Sequence, residues 1–245
     1  MNTSRRILLE VCIASADDAV AARDGGADRL ELNAALQLGG LTPSMGALLE
    51  VKRRVELPVV AMVRPRAGGF CYTEGDYDVM VRDAETLLDR GADGLAFGVL
   101  TAGGEVDIGR NRRLVGLIQP GRDAVFHRAF DATPDPFAAL EALIELGFRR
   151  VLTSGQQASA PLGAALIAEL IRRAAGRIEV LPGAGINAET VADLVARTGC
   201  DQVHGSLSET MGDTSPSGRP WLGFGVPSRT SRAMVAGVVE VLRGL

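Results

Sequence analysis

Lysine is almost missing from this 245-residue sequence, where Lys52 stands alone against many arginines. It falls towards the end of the second expected helix, away from the strand ends, which excludes a Schiff-base lysine there. Histidine is scarce as well: His127 and His204 are the two present, no HExxH joins them, and a zinc hydrolase is therefore disfavoured. Cysteine is limited to Cys12, Cys71 and Cys200 with no CxxC pair, which fits reduced cytosolic thiols better than a disulfide framework or a zinc knuckle. No apolar run approaches the roughly 20 residues that span a bilayer, and Glu10 interrupts the first apolar segment before it can form a signal-peptide core. A cytoplasmic location with no membrane partner is expected. The net charge of -4, with basic residues scattered, leaves no electrostatic footprint for nucleic acid.

What is present is a repeated alternation of short apolar runs and helical patterns, the order of a parallel sheet with crossover helices. Strands are expected at 7–12, 29–33, 58–63, 94–99, 124–130, 150–153, 178–181 and 202–206. Ser15 with Asp18 resembles a capping box, Thr42-Pro43 and Thr133-Pro134 place proline at the first helical position, and Asn187 caps a further helix. Gly26, Gly91, Gly147 and Gly199 supply helix stops just before strands. Eight units, about the length of one barrel and no GxGxxG after the first strand predict a single α/β domain over 1–245, a (β/α)8 or TIM barrel; an open doubly wound sheet is the alternative. Its core is expected at 7–207, with a loop or tail at 209–228 and a last helix at 229–245. Two long connections stand out. The one at 64–76, with Gly68-Gly69-Phe70, reads as a lid, and the one at 209–228, with Trp221, as a lid, an oligomer arm or a tail.

Strand side chains alternate faces, so one parity enters the barrel lumen. Leu9 and Val11 then face helices while Glu10 and Cys12 face inward; Arg29, Glu31 and Asn33 also face inward. Arg64 and Arg66 share a face beyond Met62, His127 shares one with Asp131, Arg128 has the wrong parity for the lumen and either reaches over the rim or pairs beneath a helix, and His204 closes the ring. Buried charges must pair or meet a ligand. A self-satisfied ion network around Arg29 is one reading of Glu10 and Glu31. Working groups at strand ends are the other. On that reading Glu10, Glu31, Arg64, Arg66, His127, Arg128, Asp131 and His204 form a catalytic set, with Glu10, His127 and Asp131 as acid/base groups and the arginines as anchors. Ser154, Gly155, Gly183, Gly185, Gly205 and Ser206 in the loops after the last three strands offer an anion cradle or, equally, tight turns. The function so read is lyase, isomerase or hydrolase chemistry on a small polar, anionic or sugar-like molecule.

Longer motifs add a resemblance. Leu9-Glu10-Val11-Cys12, Gly26-Ala27-Asp28-Arg29-Leu30-Glu31-Leu32, Gly39-Gly40-Leu41-Thr42-Pro43-Ser44, Met62-Val63-Arg64-Pro65-Arg66, Phe126-His127-Arg128-Ala129-Phe130-Asp131 and Leu152-Thr153-Ser154-Gly155 together resemble the CutC family over residues 7–207. The resemblance implies a cytoplasmic, homo-oligomeric TIM barrel linked to copper homeostasis, with Cu(I) held weakly by a cysteine in the first-strand motif, here Cys12. The family's second cysteine position is Asn33 in this chain, which reduces the soft pair to one sulfur. Gly68-Gly69-Phe70 departs from the family's more frequent Asp before the Phe.

Overall fold

Gly26 shows how successive units are joined. At φ +96° it ends the first helix, α1 (Ala16–Gly25), its N–H turned back to Ala22 and Arg23, and the second strand begins shortly afterwards at Arg29. The Asp28 between them accepts the Leu9 N–H at 2.9 Å, tying the turn to the neighbouring strand. In this computed structural model, which describes residues 6–212 and 227–245, eight such units alternate strand and helix.

The strands are β1 (Leu8–Ile13), β2 (Arg29–Leu32), β3 (Val59–Met62), β4 (Gly94–Phe97), β5 (Asp123–Phe126), β6 (Arg150–Thr153), β7 (Glu179–Pro182) and β8 (Gln202–Gly205). The helices after α1 are α2 (Met45–Arg54), α3 (Glu74–Asp89), α4 (Ile108–Gly116), α5 (Pro136–Leu146), α6 (Ala164–Ala174), α7 (Val191–Thr198) and α8 (Arg232–Arg243). All strand pairs are parallel, in the order β7-β6-β5-β4-β3-β2-β1-β8. A bridge between Gly183 and His204 brings β7 against β8. The result is a nearly closed (β/α)8 barrel, which rules out the open doubly wound sheet. An antiparallel hairpin, β9 (Ser208–Thr210) with β10 (Ser228–Thr230), follows β8. Among the described residues no helix is long and apolar enough to cross a membrane. Trp221 and most of the 209–228 connection lie outside the described residues.

Side-chain parity divides the interior into two layers. Leu9, Val11 and Ile13 are fully buried between sheet and helices, while Val60, Met62, Ala96 and Val125 form a separate apolar cluster in the lumen. Below that cluster lies a layer of charge. Arg150 bonds Glu179, Gln202 and Asp123 at 3.0 to 3.2 Å. Arg29 pairs with Glu10 and donates to Gln202 at 3.0 Å. The buried Arg29 and Arg150 guanidiniums thus each meet a carboxylate, which offsets the cost of burying their charge.

Several local expectations are corrected. The fifth strand stops at Phe126 rather than reaching 130, because His127 begins a 3-10 turn, Arg128–Ala132. Neither Pro43 nor Pro134 opens a helix. Ser44 caps α2 by accepting the Ala47 N–H, and Asp135 caps α5 ahead of Pro136, since a residue before proline is held extended. Asn187 caps a turn ahead of α7, accepting the Glu189 and Thr190 N–H groups, and the helix itself starts at Val191.

Candidate active site

The C-terminal ends of the strands surround a cavity of about 560 Å³, against about 190 Å³ for the cleft between β1 and α8 beside Arg6 and Arg243. The barrel rim supplies its walls: Cys12 from β1, Glu31 and Asn33 from β2 and its end, Met62 and Arg64 from β3 and its end, His127 after β5, and His204 from β8. Of the five buried side-chain polar atoms without a partner among the described residues, four belong to cavity-lining residues: Glu31 Oε1, Asn33 Oδ1, Arg64 Nε and His127 Nε2. Unpaired buried polar atoms cost about 1–3 kcal/mol each, so these four call for water or another polar group as a partner.

At the cavity floor a single imidazole stands between two carboxyl groups. His204 Nδ1 meets Glu10 Oε1 at 2.7 Å, and its Nε2 lies 4.0 Å from Glu31 Oε2. All three are buried, and the two carboxyl groups are driven apart. Burial pushes Glu10 up, but Arg29 and His204 outweigh it and hold this carboxyl well below the usual range. Burial pushes Glu31 up as well; His204 opposes, the Glu10 charge adds to the rise, and the net displacement is upward. His204 is held well above its ordinary range despite burial, by Glu31, Cys12 and Glu10. Asn33 Nδ2 donates to Glu31 Oε2 at 2.9 Å and to Cys12 Sγ at 3.4 Å. Burial raises the Cys12 thiol, so it remains protonated. Cys12, Glu31 and His204 bring one donor atom each within 4.8 Å of one another.

On the facing wall His127 is neutral. Burial and the nearby Arg64 charge pull it down to about 3. Its Nδ1 accepts the Ala129 N–H at 3.2 Å. Gly98 makes room for the ring, since a Cβ there would lie 2.8 Å from Nδ1. Phe70 packs on the imidazole with centroids 5.0 Å apart, and the Arg64 guanidinium sits over Phe70 at 5.3 Å.

Other expected residues have different surroundings. Arg64 lines the cavity, yet its terminal nitrogens are taken by the carbonyls of Leu38, Gly40 and Gly68. Arg66, expected on the same face, lies outside this cavity and binds Asp76 and the carbonyls of Ala67, Gly69 and Cys71, pinning the 64–76 loop. Asp131 does not join His127. It accepts from Thr153, Ser154 and Gln156 and pairs with Arg128, because the 3-10 turn swings it towards β6. Arg128 reaches the rim and also donates to Ser154 Oγ at 2.8 Å. The Ser154 amide is used by Asp131, the Gly155 amide by Thr153 Oγ1 and the Gly183 amide by the Thr153 carbonyl, so these three amides already have protein partners; Gly185, Gly205 and Ser206 line the cavity. Arg150 and Gln202, which organise the charged floor, went unnamed in the sequence; inward parity at a strand start was the available signal.

Comparison with known proteins agrees with this architecture. The profile described as CutC family matches residues 7–209. A CutC family protein of Treponema denticola is 48% identical over 221 residues, covering 90% of this chain and 89% of that one. The human copper homeostasis protein cutC homolog is 46% identical over 203 residues, covering 83% of this chain and 74% of its own. The crystal structure of the putative copper homeostasis protein CutC from Streptococcus agalactiae superposes with a TM-score of 0.78 at 31% identity, over 82% of this chain and 98% of that chain. Phosphoribosylanthranilate isomerase of Thermotoga maritima shares the fold alone, at 13% identity and a TM-score of 0.58. With the profile covering most of the barrel and relatives this similar over most of their length, the chain belongs to the CutC family.

Proposed function

We propose that the barrel mouth is an enzyme site that binds a small polar metabolite and moves a proton on it through Glu31. The carrying observation is Glu31, a residue lining the 560 Å³ cavity whose buried Oε1 has no partner among the described residues. Two carboxyl groups on either side of one imidazole, one held low and the other raised, have the opposed proton affinities that acid/base sites use. In this reading Glu10 and His204 position and polarise, and Glu31 transfers the proton. Isomerisation and elimination are the matching reaction types.

The relatives' names connect those proteins with copper homeostasis. Cu(I) does not fit the donors in this mouth. It favours soft thiolates, whereas here a single protonated thiol stands beside a carboxyl group, an imidazole bonded to Glu10, and an amide at residue 33. No step of the proposed chemistry runs through a metal. Three free cysteines, one of them exposed, support a reducing, cytoplasmic setting.

The test is a thermal-shift screen of the full chain against small polar metabolites. At least one compound is expected to raise the melting temperature, with the shift lost in Glu31→Ala. A screen without a stabilising compound, or a shift unchanged in Glu31→Ala, contradicts the proposal.

A further inference from the structure

The cavity's unpaired atoms differ in kind, and their arrangement specifies the guest. His127 Nδ1 is occupied as an acceptor by the Ala129 N–H, which places the proton of the neutral ring on Nε2. That Nε2–H has no partner among the described residues, although His127 is 3% exposed. Arg64 adds a second donor, Nε, without a close partner among the described residues, while its other nitrogens are committed to carbonyls and the Tyr72 hydroxyl lies near the guanidinium. Phe70 lies beside both groups. The other two orphan atoms, Glu31 Oε1 and Asn33 Oδ1, belong to the β2 side of the mouth. Glu31 Oε1 accepts when ionised and donates or accepts when protonated, while Asn33 Oδ1 only accepts.

Resting on the reading of the mouth as a proton-transfer site, we propose that its substrates are hydroxy-carbonyl compounds, the carbonyl oxygen received by His127 Nε2–H and Arg64 Nε–H and a hydroxyl group by Glu31 and Asn33. A neutral imidazole suits this role. It donates to a carbonyl oxygen that gains negative charge as the adjacent C–H proton leaves, without itself titrating near neutral pH. The proton passes from the hydroxyl-bearing carbon next to the carbonyl to ionised Glu31, the C–H electron pair becomes the C=C of an enediolate, and the carbonyl π pair moves to the oxygen held by His127 and Arg64. The hydroxyl proton then passes to that oxygen, its O–H pair becoming the new C=O as the C=C pair takes the proton back from Glu31 at the former carbonyl carbon, so atoms and charge balance without a co-reactant. Phe70, half-buried between the exposed Gly69 and Cys71, packs beside His127 and Arg64, so it is the side chain that must turn aside to admit the carbonyl.

Ligand-observed NMR on the full chain tests this with pairs matched in carbon number: dihydroxyacetone and glycerol, erythrulose and erythritol, xylulose and xylitol. The ketoses are expected to bind about tenfold more tightly than their alditols, whose extra O–H would be buried facing two donors with no acceptor for it. His127→Phe should abolish that preference, and His127→Gln, which keeps a donor near the Nε2 position, should restore part of it. Equal binding of ketose and alditol, or a preference unchanged in His127→Phe, overturns the carbonyl assignment and leaves the small-molecule site standing. Should His127→Phe not fold, His127→Asn serves, because its shorter amide cannot reach the same place. No binding in either series, together with no hit in the broader thermal-shift screen, overturns both readings.

Discussion

His204 Nδ1 and Glu10 Oε1 lie 2.7 Å apart although 194 residues separate them in sequence. The contact spans the first and last strands of the barrel, which register Glu10 opposite His204. Closure of the sheet therefore creates the array, and the charged floor below orients it through Arg29. One structural device serves both folding and the site.

Glu10→Gln should disturb both. The change removes the anion that faces Arg29 and His204, so an expected loss of about 3–5 kcal/mol reports a broken buried pair. Urea denaturation measures it. A loss below about 1 kcal/mol would show that the charge is not needed where it sits.

Arg150→Met tests the floor alone. Its guanidinium is 3% exposed and faces Asp123 and Glu179, which then lose a buried counter-charge. A loss of about 1–3 kcal/mol is expected, smaller than at Glu10 because Asp123 and Glu179 are 29% and 30% exposed and Glu179 keeps Arg149, with the cavity walls left in place. Ligand binding in the folded fraction should persist, which separates this layer from the mouth.

The strand pattern made the lower half of this site legible, because alternation places Glu10, Cys12, Arg29 and Glu31 inward as soon as β1 and β2 are located. The rim was less so. Alternation ends with the strand, at Met62 and at Phe126, and beyond those points loop hydrogen bonds decide direction. Arg66 turns to Asp76 and three carbonyls, and Asp131 turns to the loop after β6, for this reason. The β9–β10 hairpin escaped notice because its strands are three residues each, mostly exposed and without apolar alternation. Helix stops at Gly26, Gly147 and Gly199 were readable because the left-handed conformation they adopt is written locally.

His127 should leave a mark on stability against pH. Its folded value of about 3 lies below the ordinary 6.5, with burial and the Arg64 charge as the causes. Above 6.5 the ring is neutral folded or unfolded and contributes nothing. Below it the unfolded chain takes up a proton that the folded chain refuses, so stability falls between about 6.5 and 3, by at most about 1.4 kcal/mol per pH unit. Urea midpoints of the wild type and His127→Gln at pH 7 and pH 5 measure the difference. The variant should lose less on acidification, and parallel losses would refute a neutral buried ring.

Gly98→Ala and Gly40→Ala probe the two walls. The first places a Cβ 2.8 Å from His127 Nδ1, and the second puts one 2.3 Å from Asn33 Oδ1 at a backbone φ of +82°. Each is expected to cost about 1–3 kcal/mol by overpacking or strain and to weaken ligand binding. Thermal unfolding with and without ligand separates the two effects. Wild-type affinity in both variants would mean that neither wall touches the guest.

Deuterium uptake tests proton transfer by Glu31 most directly. The protein is incubated in D2O with a mixture of small polar metabolites that includes the three ketoses, and the mixture is read by mass spectrometry. The account predicts enzyme-dependent incorporation of deuterium at carbon in at least one compound, abolished by Glu31→Gln, which keeps the side chain's shape and removes its titratable proton. Incorporation that continues undiminished in Glu31→Gln, or none with the wild type, would contradict it.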